Sequence, residues 1–274
     1  MKQPTTLRVL QWQMTVPERA DAALERVEQG CRRAKALGAD LLALPEMFCC
    51  PYDNACFPRC AEPDGGRVDR ACAALARAYG ILLSAGSMPE RGADGRIYNT
   101  ARVYDRAGAQ IAKHRKLHLF DIDVAGGQSF HESDTLSAGD AVTVFDTEFG
   151  RLGLCVCYDF RFPELARLMV LRGARAILVP AAFNMTTGPM HWELMFRAQA
   201  MFNQCFTLGT SPALDPSASY HAYGHSIAAD PWGAVLAELD TDEGFQLVTL
   251  DLSETERVRA QIPLLRHRRT DLYA

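Results

Sequence analysis

Arg151-Leu-Gly-Leu-Cys-Val-Cys157-Tyr-Asp-Phe-Arg-Phe-Pro-Glu164 is an apolar run that turns into a helix start at a thiol. Residues 151–157 read as a strand, and residues 158–164 read as the opening of a helix. A sharp turn at such a junction lifts a side chain clear of the sheet edge. The N–H groups entering the helix also point at any anion formed beside the sulfur. Cys157 is therefore a candidate nucleophile. Position alone also allows a buried packing cysteine, which is how Cys155 reads two residues earlier on the same face.

Working outward, short apolar strands alternate with amphipathic helices along the whole chain. A strand at Leu7–Gln13 precedes a helix that places Leu24, Val27, Cys31, Ala34 and Leu37 on one face and stops at Gly38. The buried run Leu41–Leu44 leads into Pro45-Glu46, and a second helix carries Val68, Ala71, Cys72, Leu75 and Tyr79 before Gly80. A strand at Ile81–Gly86 follows. Tyr98–Tyr104 and Ala109–Lys113 form a hairpin around Asp105-Arg-Ala-Gly108. Beyond Cys157 come a helix ending at Gly173, a strand at Ala176–Val179 and a helix at His191–Asn203. Strand-like runs then occupy Cys205–Thr210, His225–Ala229, Val235–Leu239 and Phe245–Leu250, and Ser253-Glu-Thr-Glu256 fits a capping box. No linker interrupts this order, so residues 1–274 read as one layered α/β domain with a C-terminal tail from about residue 253.

Composition bounds the function. Hydrophobic residues make up 48% of the chain and charged residues 23%, an ordinary globular balance. The net charge of −4 gives no electrostatic reason for nucleic-acid or anionic-membrane binding. The expected partner is a small molecule. Met1–Thr6 leads into a strand without an apolar signal core, and no stretch approaches a membrane span, so a cytoplasmic location is expected. Nine cysteines without regular pairing suit reduced thiols. Cys49, Cys50, Cys56 and Cys60 cluster, but they lack the paired spacing of a structural zinc site, and no metal is expected.

Three ionisable residues stand where apolar runs stop: Glu46, Lys116 and Cys157. Each alone has a plain explanation, as a strand-end charge, a solvated basic run (Lys113–Leu119) or a packing thiol. Together they make chemical sense. A carboxylate can take the thiol proton, and an ammonium can lower the energy of the thiolate and of a tetrahedral oxyanion. His118, His131, His191 and His225 are scattered, which weakens a Cys–His pairing.

Leu44-Pro45-Glu46, Arg115-Lys116-Leu-His118 and the stretch from Cys157 to Glu164 resemble, in order, the three signatures of the nitrilase superfamily of carbon–nitrogen hydrolases. The resemblance spans nearly the whole chain. It implies a four-layer α-β-β-α sandwich and a Glu-Lys-Cys triad at Glu46, Lys116 and Cys157. It also implies a supporting Glu132 that positions the lysine, no cofactor, and a homodimer.

Among the branches, His118–Val124, Phe183–Glu193, Ser211–Ala213 and the tail Gln261–Tyr273 are most similar to omega-amidases. Those enzymes hydrolyse the terminal amide of short 2-oxo acids such as 2-oxoglutaramate and 2-oxosuccinamate. The substrate-binding positions implied are Tyr52, Arg161, Phe183 and His191, and the Tyr158 N–H is an expected oxyanion donor. Arg161 is a candidate for the far carboxylate, which needs charge-assisted hydrogen bonds; bracing of the elbow by an Arg161–acid pair is the favoured alternative. Gly188-Pro189 and His191-Trp-Glu193 are shared with deaminated-glutathione amidases, the second choice. Carbamoylases, a catalytically silent scaffold and a metal-dependent amidohydrolase are the remaining readings.

Overall fold

The computed structural model describes residues 4–272, so Met1–Gln3 and Tyr273 of the tail stretch lie outside the described residues. The first sheet has seven strands. Its path runs β15 (Gly244–Asp251), β1 (Thr6–Gln13), β2 (Leu41–Ala43), β4 (Leu82–Arg91), β5 (Ile97–Tyr104) and β6 (Gln110–Arg115), with β3 (Glu62–Pro63) beside β4. The second sheet runs β14 (Val235–Glu238), β13 (Ile227–Ala229), β12 (Phe206–Thr210), β11 (Ala176–Pro180), β10 (Gly150–Leu154) and β9 (Thr143–Thr147). A hairpin of β7 (Asp121–Asp123) and β8 (Ser129–His131) stands apart.

Alternation along each strand builds the layers. On β1, Leu10 and Trp12 face outward into a core with Val27, Cys31 and Ala34 of α1 (Ala20–Ala36) and Cys72 and Ala76 of α3 (Arg67–Tyr79). Leu7 and Val9 point the other way, into the core between the sheets, with Leu152, Leu154, Leu178 and Leu208. Met169 of α4 (Pro163–Leu171) and Phe196 of α5 (Gly188–Asn203) belong to that second core. The order is α-β-β-α, as expected. Gln11, fully buried between the sheets, donates to the Gly209 carbonyl at 2.8 Å and so pins β1 to β12 across the apolar interface.

Each sheet is parallel at its centre, through β1, β2 and β4 in one and β10, β11 and β12 in the other. Active sites gather at the C-terminal ends of such strands. Two antiparallel steps, β4 to β5 and β5 to β6, bring β6 back to the direction of β2. Glu46 after β2 and Lys116 after β6 therefore emerge at the same end of the first sheet.

Local expectations fail in definite places. β4 does not stop at Gly86 but continues through a bulge between Ser84 and Ser87 to Arg91. The turn after Cys157 is a 3-10 helix, Cys157–Arg161, before α4 begins. α5 starts at Gly188, three residues before His191. The hairpin β7–β8, the strand β9 and the one-turn helix α2 (Phe57–Cys60) are additions. The capping box at α6 (Glu254–Gln261) does not form: the Ser253 hydroxyl donates to Asp251 instead, at 2.6 Å. Among the described residues no helix is long and apolar enough to cross a membrane.

Candidate active site

The loops after β2, β6 and β10 bring Glu46, Lys116 and Cys157 together in a buried cluster. Lys116 Nζ donates to Glu46 Oε1 at 3.1 Å and lies 3.0 Å and 2.9 Å from the two oxygens of Glu132. All three of these side chains have zero exposure. Glu132, in turn, accepts the Tyr52 hydroxyl at 2.7 Å and the Phe120 N–H at 2.7 Å. The ammonium thus stands between two carboxylates. Burial alone would strip its proton, but the charges of Glu132 and Glu46 outweigh burial and push the Lys116 pKa up. Lys116 is a fixed cation.

Glu46 is set by β4. Ser87, where pairing resumes after the bulge, receives the Met47 N–H on its hydroxyl at 3.1 Å, and its own N–H donates to the Pro45 carbonyl at 3.3 Å. Met47 takes a φ of 52°, a left-handed conformation that only surrounding contacts can hold in a side-chain-bearing residue. Asn99 Nδ2 donates to Glu46 Oε1 at 2.8 Å. The other oxygen, Oε2, is buried without a regular hydrogen bond, and the Cys157 thiol is close enough to pull on the same carboxylate. Burial raises the Glu46 pKa; Lys116 opposes and Glu132 reinforces that rise.

Cys157 has a φ of 47°, the strained turn expected of an elbow. The Ala182 backbone, just past β11, lies close enough to the sulfur to favour its thiolate. Burial first and the Glu46 charge second hold the thiol well above its usual 9.0, against the opposing pull of Lys116. The ammonium lowers the energy of the thiolate as expected, but burial and the Glu46 charge outweigh it. Cys155 is fully buried in the core, as expected. Tyr158 is the second residue of the 3-10 helix, in the first turn where backbone N–H groups have no helical acceptor, and its ring packs edge-on against Phe120 at 5.3 Å.

The remaining candidates divide into two groups. Tyr52 lines a cavity of about 630 Å³ with Glu46, Cys50, Ala182 and Tyr220. Arg161, Phe183 and His191 do not line it. The Arg161 guanidinium lies 4.2 Å over the Phe183 ring and donates to His191 Nδ1 at 2.8 Å and Thr187 Oγ1 at 3.1 Å. No carboxylate among the described residues pairs with it, which corrects the expected Arg161–acid brace. Burial lowers the Arg161 pKa, partly opposed by the nearby Cys157, Tyr158 and Tyr220.

Sequence reasoning missed Asn99, Ala182, Tyr220 and Asp159. Tyr220 donates to the Ala182 carbonyl at 2.5 Å and packs on Tyr52 at 4.5 Å. All nine cysteines are free, and Cys50, Cys56 and Cys60 line the cavity wall.

A two-sheet sandwich whose strand ends converge on a buried thiol, carboxylate and ammonium defines a class of hydrolase that opens carbon–nitrogen bonds by attack from sulfur. Residues 6–260 match the carbon-nitrogen hydrolase family, and the chain belongs to that family, within the nitrilase superfamily. It is 44% identical over 269 residues to omega-amidase NIT2 of Mus musculus, covering 98% of this chain and 97% of that protein. Among solved structures it is similar to Nit3 of Saccharomyces cerevisiae, a member of branch 10 of the superfamily, with a TM-score of 0.89 and 37% identity over 97% of this chain and 98% of that one. A mutant amidase from Nesterenkonia sp. AN1 has a TM-score of 0.79 and 25% identity over 97% of this chain and 95% of its own. It shows covalent addition of the acetamide moiety of fluoroacetamide at its active-site cysteine.

Proposed function

We propose that the chain is an omega-amidase that hydrolyses the terminal amide of 2-oxoglutaramate, 2-oxosuccinamate and similar monoamides of 2-oxo dicarboxylic acids. Glu46 takes the Cys157 proton as sulfur attacks the amide carbon. Lys116 and the Tyr158 N–H stabilise the tetrahedral oxyanion. Glu46 then hands the proton to the leaving nitrogen, ammonia departs, and a thioester remains. Water activated by Glu46 hydrolyses that thioester, completing a ping-pong course. Glu132 keeps Lys116 in place.

The observation that carries the substrate class is Arg161: a half-buried guanidinium near Cys157 that lacks a carboxylate of its own. A dianionic or monoanionic acid would supply one through a bidentate pair. His191 fits this role as a neutral acceptor, because burial and Arg161 both lower its pKa. Phe183 is the platform under the guanidinium.

One observation favours a longer acyl chain. A cavity of about 630 Å³ is of the size that holds drug-sized ligands, more than a five-carbon acid needs, which suits deaminated glutathione. Ammonia release measured across 2-oxoglutaramate, deaminated glutathione, N-carbamoyl compounds and a simple nitrile separates these readings. Preference for anything but the first overturns the omega-amidase reading, and turnover by Cys157→Ala overturns the mechanism. Free thiols suit the reducing cytoplasm, where we place this activity. The working form is a homodimer.

A further inference from the structure

The triad is assembled from two different sheets: Lys116 follows β6 of the first, Cys157 follows β10 of the second. Apolar packing between sheets is non-directional and does not by itself fix such a distance. A directional link is needed.

Asp159 supplies one. Its carboxylate is fully buried and accepts five hydrogen bonds. Oδ1 accepts the Leu117 N–H at 3.0 Å, the His118 N–H at 2.8 Å and His118 Nδ1 at 2.8 Å. Oδ2 accepts the Val156 N–H at 3.1 Å and His114 Nε2 at 2.9 Å. Val156 immediately precedes the sulfur-bearing residue, and Leu117 immediately follows the ammonium-bearing one. His114, on β6, also meets Thr143 Oγ1 of β9 at 3.0 Å, so the chain of bonds runs from one sheet edge to the other. His118 stacks on Phe162 at 3.6 Å, which ties the same loop to the start of α4.

We infer that Asp159 is the positioning residue of this site, holding the Lys116 loop against the Cys157 elbow at the spacing the reaction needs. It touches neither substrate nor the reacting atoms. Capping of the 3-10 helix requires only the bond from Val156; the four bonds from His114, Leu117 and His118 serve no cap and are the part that joins the sheets. Burial disfavours the ionised carboxylate, yet the bonds from His114 and His118 outweigh it and hold Asp159 below its ordinary 3.8, so the link stays ionised at working pH.

This inference rests on the proposed cysteine mechanism, and the test separates the two. Cys157→Ala, Asp159→Asn and Thr143→Val are assayed with whichever amide gives the wild type most ammonia, and their melting temperatures are recorded. A misplacement near 1 Å costs about 100-fold in rate, so Asp159→Asn is expected to lose about 100-fold in kcat with KM within about threefold. Thr143→Val, one bond further from the site, is expected to lose about fivefold in kcat at unchanged KM and nearly unchanged melting temperature. A purely structural Asp159 lowers the melting temperature and leaves kcat of the folded enzyme alone; that result overturns the inference. If Asp159→Asn does not fold, Thr143→Val decides: unchanged kcat overturns it and a kcat-only loss supports it. Activity in Cys157→Ala instead overturns the mechanism itself.

Discussion

At the residue scale, the site works by setting a thiol of raised pKa against a buried carboxylate base rather than by storing a thiolate. The Cys157 thiol lies well above 9.0, and Glu46 lies above its ordinary 4.5, each raised first by burial. Alkylation of Cys157 by iodoacetamide should therefore climb with pH through 9 without a plateau near neutrality. A plateau at neutral pH, measured by mass spectrometry of the Cys157 peptide, contradicts this. Glu46→Gln removes the base and should cost about 10²–10⁴-fold in kcat. The folded state binds the Glu46 proton more tightly than the unfolded chain does, so the stability it contributes is complete below pH 4.5 and is lost as pH rises through the elevated value. Above that range the ionised side chain contributes none of this stability, and Glu46→Gln should melt no lower than the wild type there. A clear drop in calorimetric melting temperature counts against it. Glu46, Lys116 and Cys157 were legible because charge at the end of an apolar run, within ordered motifs, is a local signal, whereas Glu132 was reached only through the family resemblance. The Ala182 backbone carries no side-chain mark, and Tyr220 and Asn99 reach the site only through long-range packing.

At the element scale, the bulge in β4 decides where Glu46 points. Gly86 has a φ of 55°, and a Cβ there would overlap the Pro45 carbonyl, the acceptor that holds the turn. The sequence shows Gly86 as the end of a strand; the chain uses it to bend a strand that continues for five more residues, to Arg91. Gly86→Ala should destabilise the protein by about 3 kcal/mol, combining backbone strain with displacement of Pro45. It should also lower kcat, because the Pro45–Phe48 turn must move. Urea denaturation and steady-state kinetics test both, and a variant as stable and active as the wild type rejects this role. Helices α1 and α3 were legible from their spacing, since each buries one stripe. β7, β8 and β9 were not: three to five residues of mixed polarity give no period, and pairing alone creates them. The box at Ser253 failed for a related reason, because Asp251 competes for the hydroxyl within two residues.

At the scale of the whole molecule, the layered order was legible because buried parallel strands and one-sided helices admit few arrangements. What the alternation could not reveal is the outer face of α5. Met190, Leu194 and Met201 recur there at helical spacing with exposures of 72%, 69% and 39%, beside Phe202 at 53%. Apolar side chains clustered in this way mark a surface that another protein covers. The charged residues of the same helix, Glu193 and Arg197, already neutralise each other at 2.8 Å, so the face can be desolvated without stranding a charge. A second copy is the partner that fits the proposed homodimer, since a two-fold contact brings the same stripe from both chains together. The wild type should sediment at twice the 30.2 kDa of the chain, and Met190→Glu with Leu194→Glu should sediment as a monomer. Four carboxylates facing one another across a two-fold axis would cost more than such an interface supplies. A wild type that sediments as a monomer, or a doubly substituted chain that stays dimeric, removes α5 from the interface.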